Sequence, residues 1–339
     1  MTFLRRLLGS SGSRHGENSR SFTGDGSAQP KRFIVMGKGG TGKTTISSAL
    51  ARALSSKGKD VLAVSLDPAH NLGDVLGCSL GSEPKKIDDH LAAFELNLDE
   101  QVQRFVEEKL RQMRPLYGNL QIFNADKILD ALKQSPGMEE FAILEAIGEI
   151  SAFAEKCDAV VLDTPPTGMT VRVLSLPDIT LLWVAELVKL RSKILDRRAY
   201  IQNIERTHLE TDPGDDIVMA ELRRYKIEIE ATRSFLLGEG SSIFLVLQAD
   251  KLSVSETERT IRKLDSNGYR IGACFINRAS KGEGRTFLYD SCGLSNLMEL
   301  YDEIPWIELP DLGSDISDPQ SLLDLGDVIC GFLDAGDAR

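Results

Sequence analysis

The stretch Gly37-Lys38-Gly39-Gly40-Thr41-Gly42-Lys43-Thr44 follows an apolar run, Arg32–Met36, and opens a helical pattern that continues to about Ser56. It satisfies G-x-x-x-x-G-K-[ST], the Walker A pattern, in the strand–loop–helix setting that its mechanism needs. Glycines let backbone N–H groups curl around phosphate oxygens without Cβ clashes. Lys43 can reach the β- and γ-phosphates, and the Thr44 hydroxyl suits Mg²⁺. The helix beginning at Thr44 and Thr45 turns its positive end toward the same phosphates. ATP with Mg²⁺ is the ligand pair this loop predicts.

Outward from the loop, short apolar runs alternate with helical stretches. Asp60–Leu66, Asp158–Leu162, Ile243–Gln248 and Ile271–Ile276 join Arg32–Met36 as strands, with Ala93–Leu98 a weaker sixth. Near-continuous apolar runs suit parallel strands covered on both faces. The predicted fold is α/β: a doubly wound, mostly parallel sheet with ligands at the carboxyl ends of its strands. Two longer stretches, about 100–156 and 178–240, exceed a minimal α/β unit and read as helical insertions. Val102, Phe105, Val106, Leu110 and Met113 recur at helical spacing in the first, and Val218, Leu222, Tyr225 and Ile229 in the second. The polar segment Thr207–Asp216, with Pro213-Gly214, separates two helices there. Residues 31–339 are then one ATPase domain, and 1–30, rich in Ser, Gly and Arg, a disordered tail, with a transit peptide as the alternative.

Composition narrows the partners. With 42% hydrophobic and 27% charged residues the 339-residue chain has the balance of a soluble globular protein. A net charge of −11 without a Lys/Arg run argues against nucleic acid as a partner. No apolar run reaches the roughly 18–20 residues of a membrane span. The five cysteines, Cys78, Cys157, Cys274, Cys292 and Cys330, include no C-x-x-C pair and point to a reducing, cytoplasmic setting.

Lys38 sharpens the loop. A lysine after the first glycine is unnecessary for holding phosphate, because Lys43 already does that. The loop resembles the deviant Walker A class of the nitrogenase iron protein, partition and division-site ATPases, and arsenical-pump ATPases. That resemblance implies a homodimer in which Lys38 reaches the partner's nucleotide and stabilises charge on its phosphates, as an arginine finger does. A solvated loop lysine is the plain alternative.

Two strand ends carry acids. The second strand ends in Asp67-Pro-Ala-His-Asn-Leu-Gly-Asp74, and a later one in Asp163-Thr-Pro-Pro-Thr-Gly168. A lone Asp after a strand is usually a cap or turn residue; two in this order after a Walker A loop form a set. These segments resemble the switch I and switch II sequences of the arsenical-pump and tail-anchored-protein-targeting ATPases. Ser135-Pro-Gly-Met-Glu139, Ser255-Glu-Thr-Glu-Arg259 and Ile276-Asn277 match in order, so the resemblance covers about residues 31–280.

The family's roles then fall on Asp67 as the hydrolytic acid, Thr44 and Asp163 as Mg²⁺ residues, and Gly168 as a γ-phosphate sensor. Asn277 would hydrogen-bond adenine, and Asp250 falls where the family has a nucleotide-contacting acid. A base-covering loop is expected after a strand near Trp306–Leu312. The resemblance implies a membrane-related partner: as first reading, a tail-anchored membrane protein to be targeted; as alternative, the transporter subunit of an arsenite or antimonite efflux pump. The zinc motif C-x-x-C expected of targeting relatives near 280–295 is missing, with Cys292 alone there. Pro136-Gly137-Met138-Glu139 stands where pump ATPases have a metalloid-binding Cys.

Overall fold

The computed structural model describes residues 30–69, 71–113, 133–205, 216–279, 284–311 and 318–337. The expected tail over 1–29, His70, and most of the separating segment at 207–215 lie outside the described residues. The described residues divide into two compact units.

The first unit takes the described residues within 1–98, 149–172 and 236–339 and holds the sheet. Its strands are β1 (Lys31–Gly37), β2 (Val61–Ser65), β3 (Lys85–Lys86), β4 (Leu91–Glu95), β5 (Ala159–Asp163), β6 (Ser241–Leu247), β7 (Ile271–Ala279) and β8 (Trp306–Pro310). They lie in the order β3-β4-β2-β5-β1-β6-β7-β8, and every pairing except β3 with β4 is parallel. β1 sits between β5 and β6, with Val35 level with Asp163 on one side and Phe244 on the other. Consecutive strands on opposite sides of β1 make its carboxyl end a switch point, where open α/β sheets bind ligands.

Along β1 every residue after Lys31 is buried, as a strand covered on both faces requires. One face packs on α1 (Lys43–Ser56), the helix that follows the loop. Phe33, Phe244 and Phe275 make a ring cluster there, with centroids 5.3 and 5.2 Å apart. α1 is itself covered by α10 (Pro319–Asp337), whose Leu322, Leu325 and Ile329 share a core with Ile46, Ala49 and Leu50. Gly326 permits that approach: a Cβ there would meet the Ala49 carbonyl and come within 2.6 Å of Ala53 Cβ.

The remaining helices are α2 (Leu72–Leu76), α3 (Leu98–Met113), α4 (Met138–Ala154), α5 (Thr167–Glu205), α6 (Ile217–Leu237), α7 (Lys251–Ser266), α8 (Gly284–Cys292) and α9 (Leu294–Leu300). Residues 99–148 and 173–235 form the second unit. Within it, Phe105 and Phe141 stack at 6.4 Å, and the Lys109 ammonium lies 4.9 Å from the Tyr225 ring centre. Burial pushes the Tyr225 phenol up to about 12. Arg191 Nε donates to Asp216 Oδ1 at 3.0 Å, and Asp216 also accepts from the Met219 N–H, capping α6.

Three details depart from the sequence reading. The weaker strand expected at Ala93–Leu98 is β4, Leu91–Glu95, and Leu98 opens α3. The helix expected from 178 begins at Thr167 and runs through Pro177. Proline lacks an N–H and usually ends a helix, but buried Val173, Leu174 and Val184 hold this one on course. β3, two exposed lysines, offers no apolar signal and was not expected. No described helix is long and apolar enough to cross a membrane.

Candidate nucleotide site

The loop between β1 and α1 is shaped by glycines in two distinct ways. Gly40 and Gly42 take φ of 81° and 99°, left-handed values that favour glycine. Gly37 is needed for space, since a Cβ would run into the Val246 carbonyl of the neighbouring strand. Thr41 folds back on the loop, its Oγ1 donating to the Lys38 carbonyl at 2.8 Å. These are the positions that the sequence assigned to phosphate binding, from Gly37 through Gly39 to Thr44 and Thr45.

Below the loop a group of side chains converges on Asp163 at the end of β5. Thr44 Oγ1 donates to Asp163 Oδ2 at 2.8 Å, while Ser47 and Ser65 hydroxyls each lie 3.4 Å from the same carboxyl. Asp163 is 1% exposed. Its burial pushes the carboxyl up to about 6, against the downward pull of the Thr44 hydrogen bond and the Lys43 charge. A buried acid short of compensating charge, beside a hydroxyl, is the donor chemistry that suits Mg²⁺. Thr44 and Asp163 therefore fit the ion, and Ser47 and Ser65 orient the acid. Neither serine was singled out from sequence, although Ser47 lies three residues beyond Thr44 on a helix.

Asp67 stands just past β2. Its Oδ1 accepts the Ala69 N–H at 3.1 Å, an Asx turn that fixes the carboxylate, and Oδ2 lies 3.9 Å from Lys43 Nζ. The Lys43 side chain is 5% exposed, so its charge acts through little water. Lys38 is only partly covered, and its ammonium makes no ion pair or hydrogen bond among the described residues. Gly168 lies exposed in the first turn of α5, preceded by Thr164, whose Oγ1 donates to the Val35 carbonyl at 2.8 Å.

Two expected nucleotide contacts look different in place. Asp250 is the N-cap of α7 and accepts the Leu252 and Ser253 N–H groups at 3.0 and 2.9 Å. Asn277 is buried, and its Nδ2 donates to the Thr41 carbonyl at 2.8 Å. Gln248, at the end of β6, sends Nε2 to the Gly40 carbonyl at 3.3 Å, a contact with no sequence signal. Most of the base-covering loop expected after β8 lies outside the described residues, which resume at Asp318.

The model of the anion-transporting ATPase family matches residues 31–329. A protein of Aquifex aeolicus, provisionally named arsenical pump-driving ATPase 2, is 32% identical over 249 residues, 73% of this chain and 79% of its own length. A similarly named protein of Chlorobaculum tepidum is 35% identical over 259 residues, 71% of this chain but 59% of its own length. The chain thus spans about three fifths of that relative's length. The ATPase get3 of Schizosaccharomyces japonicus is 28% identical over 313 residues, 88% of this chain and 92% of its own length. With a Walker A loop and Asp163 in place at the switch point of its sheet, the chain is an ATP-hydrolysing member of the anion-transporting ATPase family.

Proposed function

We propose that this ATPase works as a homodimer with Mg-ATP and couples its nucleotide state to a membrane-related client. The loop N–H groups, Lys43 and the amino end of α1 hold the phosphate chain. Thr44 and Asp163 would hold Mg²⁺, which when bound would neutralise charge on the phosphate chain. Asp67, once Lys43 turns to the phosphates, accepts a hydrogen bond from the attacking water and takes its proton. Lys38 reaches a second copy's nucleotide, where its charge stabilises the transition state.

For the client, the single carrying observation is the 32% and 35% identity to proteins provisionally named as arsenical pump-driving ATPases. It supports the transporter subunit of a metalloid pump, and so reverses the order in which the sequence alone ranked the two readings. The test is ATPase rate with and without arsenite or antimonite, alongside metalloid tolerance of cells carrying the chain. Stimulation with tolerance supports the pump reading, whereas an unchanged rate with no tolerance defeats it.

One observation favours capture of an apolar segment as a second reading. On α5 the side chains of Ile179, Leu182, Trp183, Leu187, Leu190 and Ile194 are exposed, at i, i+3, i+4 spacing along one face. An apolar stripe of that length is unusual on a soluble surface and suits a hydrophobic partner. ATP-dependent co-purification with a tail-anchored segment, lost in Leu182→Ser/Trp183→Ser, would select this reading.

A further inference from the structure

Asn277 and Gln248 stand at the carboxyl ends of β7 and β6 and both point amide N–H groups at carbonyls of the phosphate loop. The Asn277 bond to Thr41 is 2.8 Å and buried, and it ties together residues 236 positions apart in sequence. A buried hydrogen bond of that kind is costly to break when one partner is left unsatisfied. Its construction involves two further residues. Gly42 clears the path, since a Cβ there would collide with Asn277 Nδ2, and its φ of 99° turns the chain at that point. Asn277 Oδ1 is held in turn by the Arg278 N–H at 2.9 Å. Arg278 has a φ of 53°, the one left-handed non-glycine among the described residues. Such a conformation is strained and persists where its surroundings impose it.

We propose that Asn277, assisted by Gln248, is a positioning residue for the phosphate loop: it pins the Thr41 carbonyl, and Gln248 the Gly40 carbonyl, outward from the nest. A peptide unit has its C=O and N–H on opposite sides. Holding the Thr41 carbonyl away from the ligand therefore leaves the Gly42 N–H free to face it, while behind the Gly40 carbonyl the Thr41 N–H donates to the Lys38 carbonyl at 3.3 Å and stays within the loop. The effect acts on the phosphate chain and is blind to the base. Reading of adenine by the same amide predicts the opposite selectivity. The proposal rests on Gly37–Thr44 being the phosphate site, which binding of Mg-ATP by the unaltered chain tests separately and first.

The experiment is a panel of dissociation constants for Mg-ATP, Mg-GTP and inorganic triphosphate, measured on the full chain and on Asn277→Ala and Gln248→Ala. The expected result is that Asn277→Ala weakens all three by the same factor, about tenfold, and Gln248→Ala weakens all three less. Loss confined to Mg-ATP, with GTP and triphosphate unchanged, would overturn the proposal in favour of base reading. No change in any of the three would overturn it outright. Melting curves without nucleotide check that Asn277→Ala folds. If it does not, Gln248→Ala, an exposed contact, carries the same three-ligand comparison, and a selective or absent loss there counts against the proposal.

Discussion

Lys43 Nζ lies 3.9 Å from Asp67 Oδ2, so the two residues expected to act on opposite sides of the γ-phosphate face each other. The pairing balances a nearly buried cation with a carboxylate just past the end of β2.

Two substitutions separate those roles. Lys43→Ala is expected to abolish Mg-ATP binding, whereas Asp67→Asn should bind normally and lose about 10²–10⁴-fold in kcat. Calorimetry with Mg-ATP and steady-state phosphate release check them. Normal turnover by Asp67→Asn would remove Asp67 from the mechanism.

Lys38 should show its role through concentration. Lys38→Ala is expected to lower kcat by about 10³-fold, the scale of a phosphate-stabilising finger. Specific activity of the unaltered chain should rise with protein concentration as copies pair. A flat profile, or an unchanged rate in Lys38→Ala, would rule out action across a dimer.

The buried Asp163 predicts a pH dependence of stability without nucleotide. Its carboxyl goes from an ordinary 3.8 up to about 6 on folding, so the folded chain holds that proton more tightly. The contribution is therefore fully present below about 3.8 and is lost as pH rises through about 6. Its size is on the order of 1–3 kcal/mol. Urea midpoints from pH 4 to 7 check it: the stability of Asp163→Asn relative to the unaltered chain should increase across that window. A constant difference would mean that Asp163 does not titrate there.

The thiols should divide by burial. Cys157 and Cys274 are buried, and desolvation pushes Cys157 up to about 12 and Cys274 higher still; Cys330 is raised by the same cause. Cys78 and Cys292 are partly exposed. At pH 8 a thiol reagent should label those two quickly and the other three only on unfolding. Should arsenite stimulate the enzyme, Cys78→Ser and Cys292→Ser test whether thiolate binding is the route.

Tight packing of α10 on α1 gives a last test. Gly326→Val places methyls against the Ala49 carbonyl and Ala53 and is expected to cost about 1–3 kcal/mol. Thermal melting reads it, and an unchanged midpoint would show that the two helices separate easily.

Much of the fold was legible because its central strands are short apolar runs ending at recognisable polar turns. β1 with its loop, and β5 with Asp163, stand out through local order alone. What escaped reading was carried by tertiary contacts. β3 has two exposed lysines and only a neighbour to make it a strand. Pro177 stays helical because of what buries the residues around it. Gln248 looks like any strand-end amide until Gly40 is beside it. Asn277 was picked out from the sequence as a nucleotide contact, but its bond to Thr41 joins segments too distant in sequence for any pattern to relate.

The cover that α10 lays on α1 also has a meaning in time. Ribosomes extend a chain at about 5–20 residues per second, and segments fold as they emerge. The helix that carries Lys43 and Thr44 is made well before Leu322, Gly326 and Ile329, which lie far downstream of it. A nascent chain therefore carries α1 with one apolar flank bare until α10 has followed it. Arrested or truncated products would be left with that flank sticky, which makes them natural clients for chaperones and proteases.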